Sequence, residues 1–196
     1  LPSKHRLRPV DIGVLLSGGI TGLAVYRQPR VAIIPTGSEI IEPDQPPEAG
    51  QIIESNSRMF AALVTEEGGL PDRLDIVPDD YQRLKTTISQ AVAKHDLTIV
   101  NAGSSAGTED YTAPILRELG QVLVHGVAVK PGKPVILAIV QGKPVIGLPG
   151  YPVSAYLDFQ ELVTPVLSLF TGRSLEDNGE QVEAVISKRL VSSVKY

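Results

Sequence analysis

The chain has 196 residues, 42% of them hydrophobic and 20% charged, with a net charge of −4 and no cysteine. That is enough for one sizeable domain, or one domain with tails, at ~100–200 residues per domain. It excludes disulfides, thiolate metal sites and cysteine nucleophiles, and it suits a reducing cytosol.

Charge and hydropathy exclude more. No Lys/Arg block appears, so there is no electrostatic footprint for nucleic acid or an anionic membrane. Apolar runs such as residues 135–140 fall far short of the ~20 residues that span a bilayer. The sequence opens on Leu1 without a signal-peptide pattern and ends in a strand-like alternation, so it reads as a piece of a longer chain.

Residues 1–28 do not read as an independent core. Pro9 suits the first position of one or two helical turns and Gly18-Gly19 their exit, as in the C-terminal remnant of a preceding domain and its linker. The main domain is expected over residues 29–172. Residues 30–34 form an apolar run of strand length. Residues 55–67 carry Met59, Phe60, Leu63 and Val64 at helical spacing and stop at Gly68-Gly69. A strand is predicted over 74–77. A helix follows in which Leu84, Ile88, Ala91 and Val92 share a face, with Asp79 or Asp80 as its cap.

Residues 97–100 are the next strand and 111–119 the next helix, with the glycine loop NAGSSAGTEDY at 101–111 joining them. Strands are predicted over 122–129, 135–140 and 143–148, the last two joined by Gln141-Gly142 as a two-residue hairpin. The final helix spans 153–170, with Pro152 in its first turn and a kink predicted at Pro165. Alternating βα units imply a three-layer α/β/α sandwich with a mostly parallel sheet and an antiparallel edge hairpin. Residues 173–196 read as a linker and the first strand of an incomplete C-terminal β domain.

In open α/β sheets ligands bind beyond the carboxyl ends of the strands. There the sequence places Thr36, Gly37, Ser38 and Glu39 after the first strand, and Asp80 after the second. Gly103, Ser104, Ser105, Gly107, Glu109 and Asp110 follow the third. Lys130 and Lys133 lie in a KPGKP loop, and Pro149, Gly150, Pro152 and Ser154 precede the last helix. Small residues let backbone amides approach an anion, helix starts attract it, and lysines are point-charge phosphate partners. Glu39 and Asp80 are equally readable as caps, PGYP as a turn, and the glycine loop as a capped turn. The histidines lack ligand spacing, and His125 reads as structural. The combination suggests a phosphorylated or nucleotide-bearing ligand with carboxylates to hold Mg²⁺ beside it.

PTGSEI at 35–40, ESN at 54–56, PDD at 78–80, AGSSAGTEDY, KPGKP and GLPGYPVSA occur in one order. Over residues 29–172 this resembles the central, molybdopterin-binding domain of the molybdopterin molybdenumtransferases, the MoeA type that includes the gephyrin E domain. The resemblance implies an Mg²⁺-dependent enzyme of molybdenum-cofactor biosynthesis. Its substrates would be adenylylated molybdopterin and molybdate, and it would release AMP. It also implies a cytoplasmic homodimer whose site is completed by another domain of the partner. Glu39, Asp80, Asp110, Lys130 and Lys133 match the family's site residues, and Asp110 with Asp80 its metal-holding carboxylates. Thr36, Gly37, Ser38, Gly103, Ser104, Ser105, Gly107, Pro149, Gly150, Pro152 and Ser154 match substrate-binding positions.

The chain departs from the family's GGVSVGEYDY pattern. Thr108 stands where the usual glutamate falls, and Asn101-Ala102 replaces the small-residue start. This moves the expected role from the Glu109–Asp110 pair to Asp110. Two other readings stay open: a molybdopterin adenylyltransferase on the same fold, and a non-catalytic binding or scaffold module.

Overall fold

The computed structural model describes residues 3–101 and 111–173, together with residues 1, 183 and 185. Gly103, Ser104, Ser105, Gly107, Glu109 and Asp110 therefore lie outside the described residues, as does most of the expected C-terminal linker and strand.

The first element is a helix, α1 (Pro9–Ser17), with Pro9 in its first turn. Arg8 and Asp11 close its start: the Arg8 amide donates to Asp11 Oδ2 at 2.8 Å and the guanidinium to Oδ1 at 2.9 Å. The Arg8 side chain, its amide and His5 hold the Asp11 carboxyl far below the usual carboxylate range.

The sheet strands are β1 (Arg30–Pro35), β4 (Leu70–Arg73), β5 (Leu97–Asn101), β6 (Gln121–His125), β7 (Ile136–Val140) and β8 (Lys143–Leu148). Two short strands, β2 (Ile40–Ile41) and β3 (Ile52–Ile53), pair separately. The six-stranded sheet runs β4-β1-β5-β8-β7-β6. Its first four strands are parallel, and β7 and β6 continue it with antiparallel pairings. Gln141 and Gly142, at φ 51° and 74°, close the β7–β8 hairpin with the two left-handed residues a two-residue turn of this hand needs.

Period-2 alternation sorts the core into two layers. Val31 and Ile33 face α2 (Asn56–Glu66) and the C-terminal helical segments, where Phe60, Phe159, Val163 and Leu167 are fully buried. The Phe60 and Phe159 rings stack at 5.7 Å. Ala32 and Ile34 face α3 (Tyr81–Lys94) and α4 (Thr112–Leu119), whose Leu84, Ile88, Val92, Ile115 and Leu116 fill the opposite layer. Each such side chain contributes about 1.5–3 kcal/mol on burial. With both faces covered, β5 reads as a continuous buried run rather than an alternation.

Three elements differ from the sequence reading. The second long strand is Leu70–Arg73, not 74–77, and Val77 makes only an isolated bridge with Thr36. Pro71 argues against a strand, but β4 is an edge. The Leu70 amide donates to Pro29 O and the Leu74 amide to Ile33 O, so Pro71, one residue out of step, turns its missing N–H away from β1. The strand predicted over 122–129 ends at His125. The helix predicted over 153–170 is three segments: α5 (Pro152–Asp158), a π-helical turn over Phe159–Val163, and α6 (Thr164–Phe170). The Thr164 amide reaches back five residues to Phe159 O, and Pro165, which has no amide to give, follows at once.

Candidate functional site

Leaving β1, the chain goes first to β4 on one side and then to β5 on the other, so the sheet's switch point lies between β1 and β5. The carboxyl ends of these two strands open a crevice there. A cavity of about 300 Å³ fills that position, lined by Thr36 and Glu39 after β1, Asn101 at the end of β5, Gly150, Tyr151 and Pro152 after β8, and residues 52–56.

Thr36 is buried, and its amide and hydroxyl both donate to Asn101 O at 3.0 Å. Gly37 follows at φ +143°, and a side chain there would strike the Glu39 carboxylate, which folds back over it. Ser38 is tied to the loop after Val77 by a reciprocal pair. Its amide donates to Asp79 Oδ2 at 3.0 Å and the Asp79 amide to Ser38 Oγ at 2.9 Å. Asp79 is thus a fastening residue that sequence reasoning weighed only as a cap.

Asp80 caps α3, its Oδ1 accepting the Arg83 amide at 2.8 Å. The next residue, Tyr81, meets Tyr111 edge to face with centroids 5.7 Å apart. Asp80 thus directly precedes one of two tyrosines in contact, while Asp110 lies outside the described residues.

The ESN motif resolves into two jobs. Glu54, buried, accepts the Ser57 amide at 2.7 Å and its hydroxyl at 2.7 Å, which caps α2, and pairs with Arg58 at 2.9 Å. Arg58 also reaches Glu42, which Arg73 holds from its other side; these two guanidiniums keep the Glu42 carboxyl below its ordinary range. Asn56 donates from Nδ2 to Asn101 Oδ1 at 3.1 Å and to Gly150 O at 2.8 Å.

Of the described residues the sequence singles out, Thr36, Glu39, Gly150 and Pro152 line the cavity; Gly37, Ser38, Asp80, Lys130, Lys133, Pro149 and Ser154 are not among its lining residues. Lys130 and Lys133 are exposed on the loop between β6 and β7, and buried Gly132 between them rests against Asp158. Sequence reasoning missed Asn56, Asn101 and Asp158. ESN and the departure at Asn101 signalled the first two, whereas Asp158 lies in an amphipathic pattern that hides it.

The fold and these rim loops define an α/β domain of the ligand-binding kind, with its cavity at the carboxyl ends of the strands. The chain belongs to the molybdopterin-binding domain family, whose description reads "Probable molybdopterin binding domain" and which matches residues 32–169. It is similar to a molybdopterin molybdenumtransferase of Nostoc sp., 38% identical over 176 residues that cover 88% of this chain and 40% of the relative. One from Haemophilus influenzae is 31% identical over 194 residues, covering 99% of this chain and 48% of the relative. A solved structure of a molybdopterin biosynthesis MoeA protein from Pyrococcus horikoshii superposes with a TM-score of 0.81 at 39% identity, covering 88% of this chain and 43% of that one. The chain thus spans less than half the length of these relatives.

Proposed function

We propose that this chain is the pterin- and nucleotide-binding domain of an enzyme that inserts molybdate into adenylylated molybdopterin and releases AMP. The observation that carries the reading is the convergence of the PTGSE, ESN and PGYP loops on one cavity at the sheet's switch point. The molybdenumtransferase name borne by the Nostoc and Haemophilus relatives supports it.

In this reading the glycine loop, with Gly103, Ser104, Ser105 and Gly107, cradles phosphate through its backbone amides. Lys130 and Lys133 face phosphate or molybdate oxygens, and Glu39 contributes a carboxylate at the cavity rim.

Mg²⁺ is held in such sites by one or two carboxylates plus substrate phosphates. Asp80 suits that part, because its cap bond uses Oδ1 and leaves Oδ2 outside it. Asp110, which in sequence matches the family's metal-holding carboxylate, is the second carboxylate in this reading. Among the described residues no three metal-binding side chains gather. When bound, the ion would offset charge on the phosphates; the protein's own part is to orient the carboxylates and exclude water. The whole enzyme, in this reading, is a cytoplasmic homodimer. No described helix is long and apolar enough to cross a membrane.

The test is Asp110→Ala in the full-length protein. It is expected to abolish molybdate-dependent AMP release while the circular dichroism spectrum and melting temperature stay unchanged. Normal turnover in that variant would overturn the role of the loop. Net adenylylation of molybdopterin from MgATP by the wild type would instead assign the adenylyltransferase reaction.

A further inference from the structure

Asn101 occupies a position that none of the roles above uses. It is 6% exposed, ends β5 and begins the glycine loop. Every hydrogen-bonding atom outside its amide reaches a different loop of the rim. Its carbonyl accepts from Thr36 of the PTGSE loop, twice. Its Oδ1 accepts from Asn56 at the start of α2, and its Nδ2 donates to Pro149 O at 2.9 Å and Leu148 O at 3.4 Å. Asn56 closes the circuit by donating to Gly150 O.

A carboxamide is the group this geometry requires, because it presents a donor and an acceptor on one rigid plane. Its orientation is forced. Asn56 faces two acceptors, so its Nδ2 must point at them, and Asn101 must then offer Oδ1 to Asn56 and Nδ2 to the carbonyls after β8. The arrangement leaves Asn56 Oδ1 buried without a partner among the described residues, which costs stability that an apolar pair would not. Two side chains that tie three rim segments together while leaving one oxygen unpaired among the described residues hold the geometry of the rim.

We infer that Asn101, acting through Asn56, is a positioning residue of the cavity. The two carboxamides fix the PGYP backbone carbonyls relative to Thr36 and the start of the glycine loop, so that the binding surface exists before ligand arrives. The inference rests on the reading that this cavity takes adenylylated molybdopterin.

The experiment uses the full-length protein with Asn101→Asp, Asn56→Asp and the double variant. Each change keeps side-chain shape and turns a donor into an acceptor facing a carbonyl. Dissociation constants for adenylylated molybdopterin, turnover at saturating substrate and melting temperature are measured on all four proteins. The expected result is affinity lower by about 10-fold or more in each single variant, with a smaller change in turnover at saturating substrate, since loops no longer held in place must be ordered when ligand binds. The double variant should bind no worse than the weaker single one, the signature of residues acting as a unit. Unchanged affinity in a folded variant, or effects that add, overturns the inference. If the aspartates prevent folding, Asn56→Ser removes the bridge at an exchangeable helix start and is judged by the same affinity criterion. A wild type that binds no adenylylated molybdopterin sinks the functional reading and this inference with it; a wild type that binds while folded variants bind equally sinks only the inference.

Discussion

The carboxylate of Asp158 fills the space that any side chain on Gly132 would need. Asp158 ends α5, four residues beyond Ser154 and so on the same helix face, while Gly132 is the middle of the KPGKP loop. The loop backbone therefore sits directly on a buried acid. Gly132 also holds φ +121°, a conformation that L side chains rarely adopt.

Gly132→Ala should destabilise the protein by about 1–3 kcal/mol through strain and collision together. Chemical denaturation measures it. Adding Asp158→Ala should return the collision's share and leave the strain, so a double variant no more stable than Gly132→Ala would contradict the contact.

Burial pushes the Asp158 acid from 3.8 up to about 6, and its Oδ2 has no partner among the described residues. The folded state thus binds the proton more tightly than the unfolded chain. The contribution of Asp158 to stability is therefore full below about pH 4, is lost as pH rises from about 4 to about 6, and stays lost above that. The separation is worth about 3 kcal/mol. Asp158→Asn should flatten this fall and raise stability at pH 7 by an amount up to that size, read from denaturant midpoints across pH 4–8. A variant that loses stability at pH 7 would show that the carboxylate is paired in solution.

Asp80 carries a cap now and a metal role by proposal, and two substitutions separate them. Asp80→Ala should cost about 1 kcal/mol through the lost bond to the Arg83 amide. Asp80→Asn keeps an oxygen for that amide but removes the charge. It should melt like wild type in the full-length enzyme while needing several-fold more Mg²⁺ for half-maximal turnover. An unshifted Mg²⁺ requirement would leave Asp80 a cap and nothing more.

Lys130→Gln and Lys133→Gln change residues exposed on the loop between β6 and β7. Each should weaken ligand binding and reduce its dependence on salt, because a phosphate partner acts as a screened point charge. Titrations at low and high ionic strength check this; equal salt dependence in variant and wild type would remove that lysine from the anion's surroundings.

The parts legible in the sequence were those governed by local pattern. The apolar run at Val31 to Ile34, the face shared by Leu84, Ile88 and Val92, and the Gln141-Gly142 turn each carry their periodicity or backbone requirement within a few residues. The strand at Leu70–Arg73 was missed, and Pro71 within it is tolerated because β4 is an edge, which only the strand order reveals. The β2–β3 pair was missed because two-residue strands carry no period. At the cavity, Thr36, Glu39, Gly150 and Pro152 were readable as loop residues after strands. The Asn101 bonds span 45 to 65 positions of sequence, and no spacing rule encodes a bond of that range.

The π-helical turn between Asp158 and Thr164 has one more effect. Ala155, Phe159, Val163 and Leu167 are all fully buried and follow one another at intervals of four. In a regular helix of 3.6 residues per turn, each step of four overshoots a full circle by about 40°, so the last of the series would have swung about 120° from the first. A π-turn takes in one extra residue without its usual rotation of about 100°, which nearly cancels that drift. The irregular turn is thus what keeps four side chains in a single line above the sheet, from the cavity end of the helix to its far end. Rewinding Phe159–Val163 as regular α-helix with every residue kept would instead rotate Leu167 about 120° out of the core and leave its place empty.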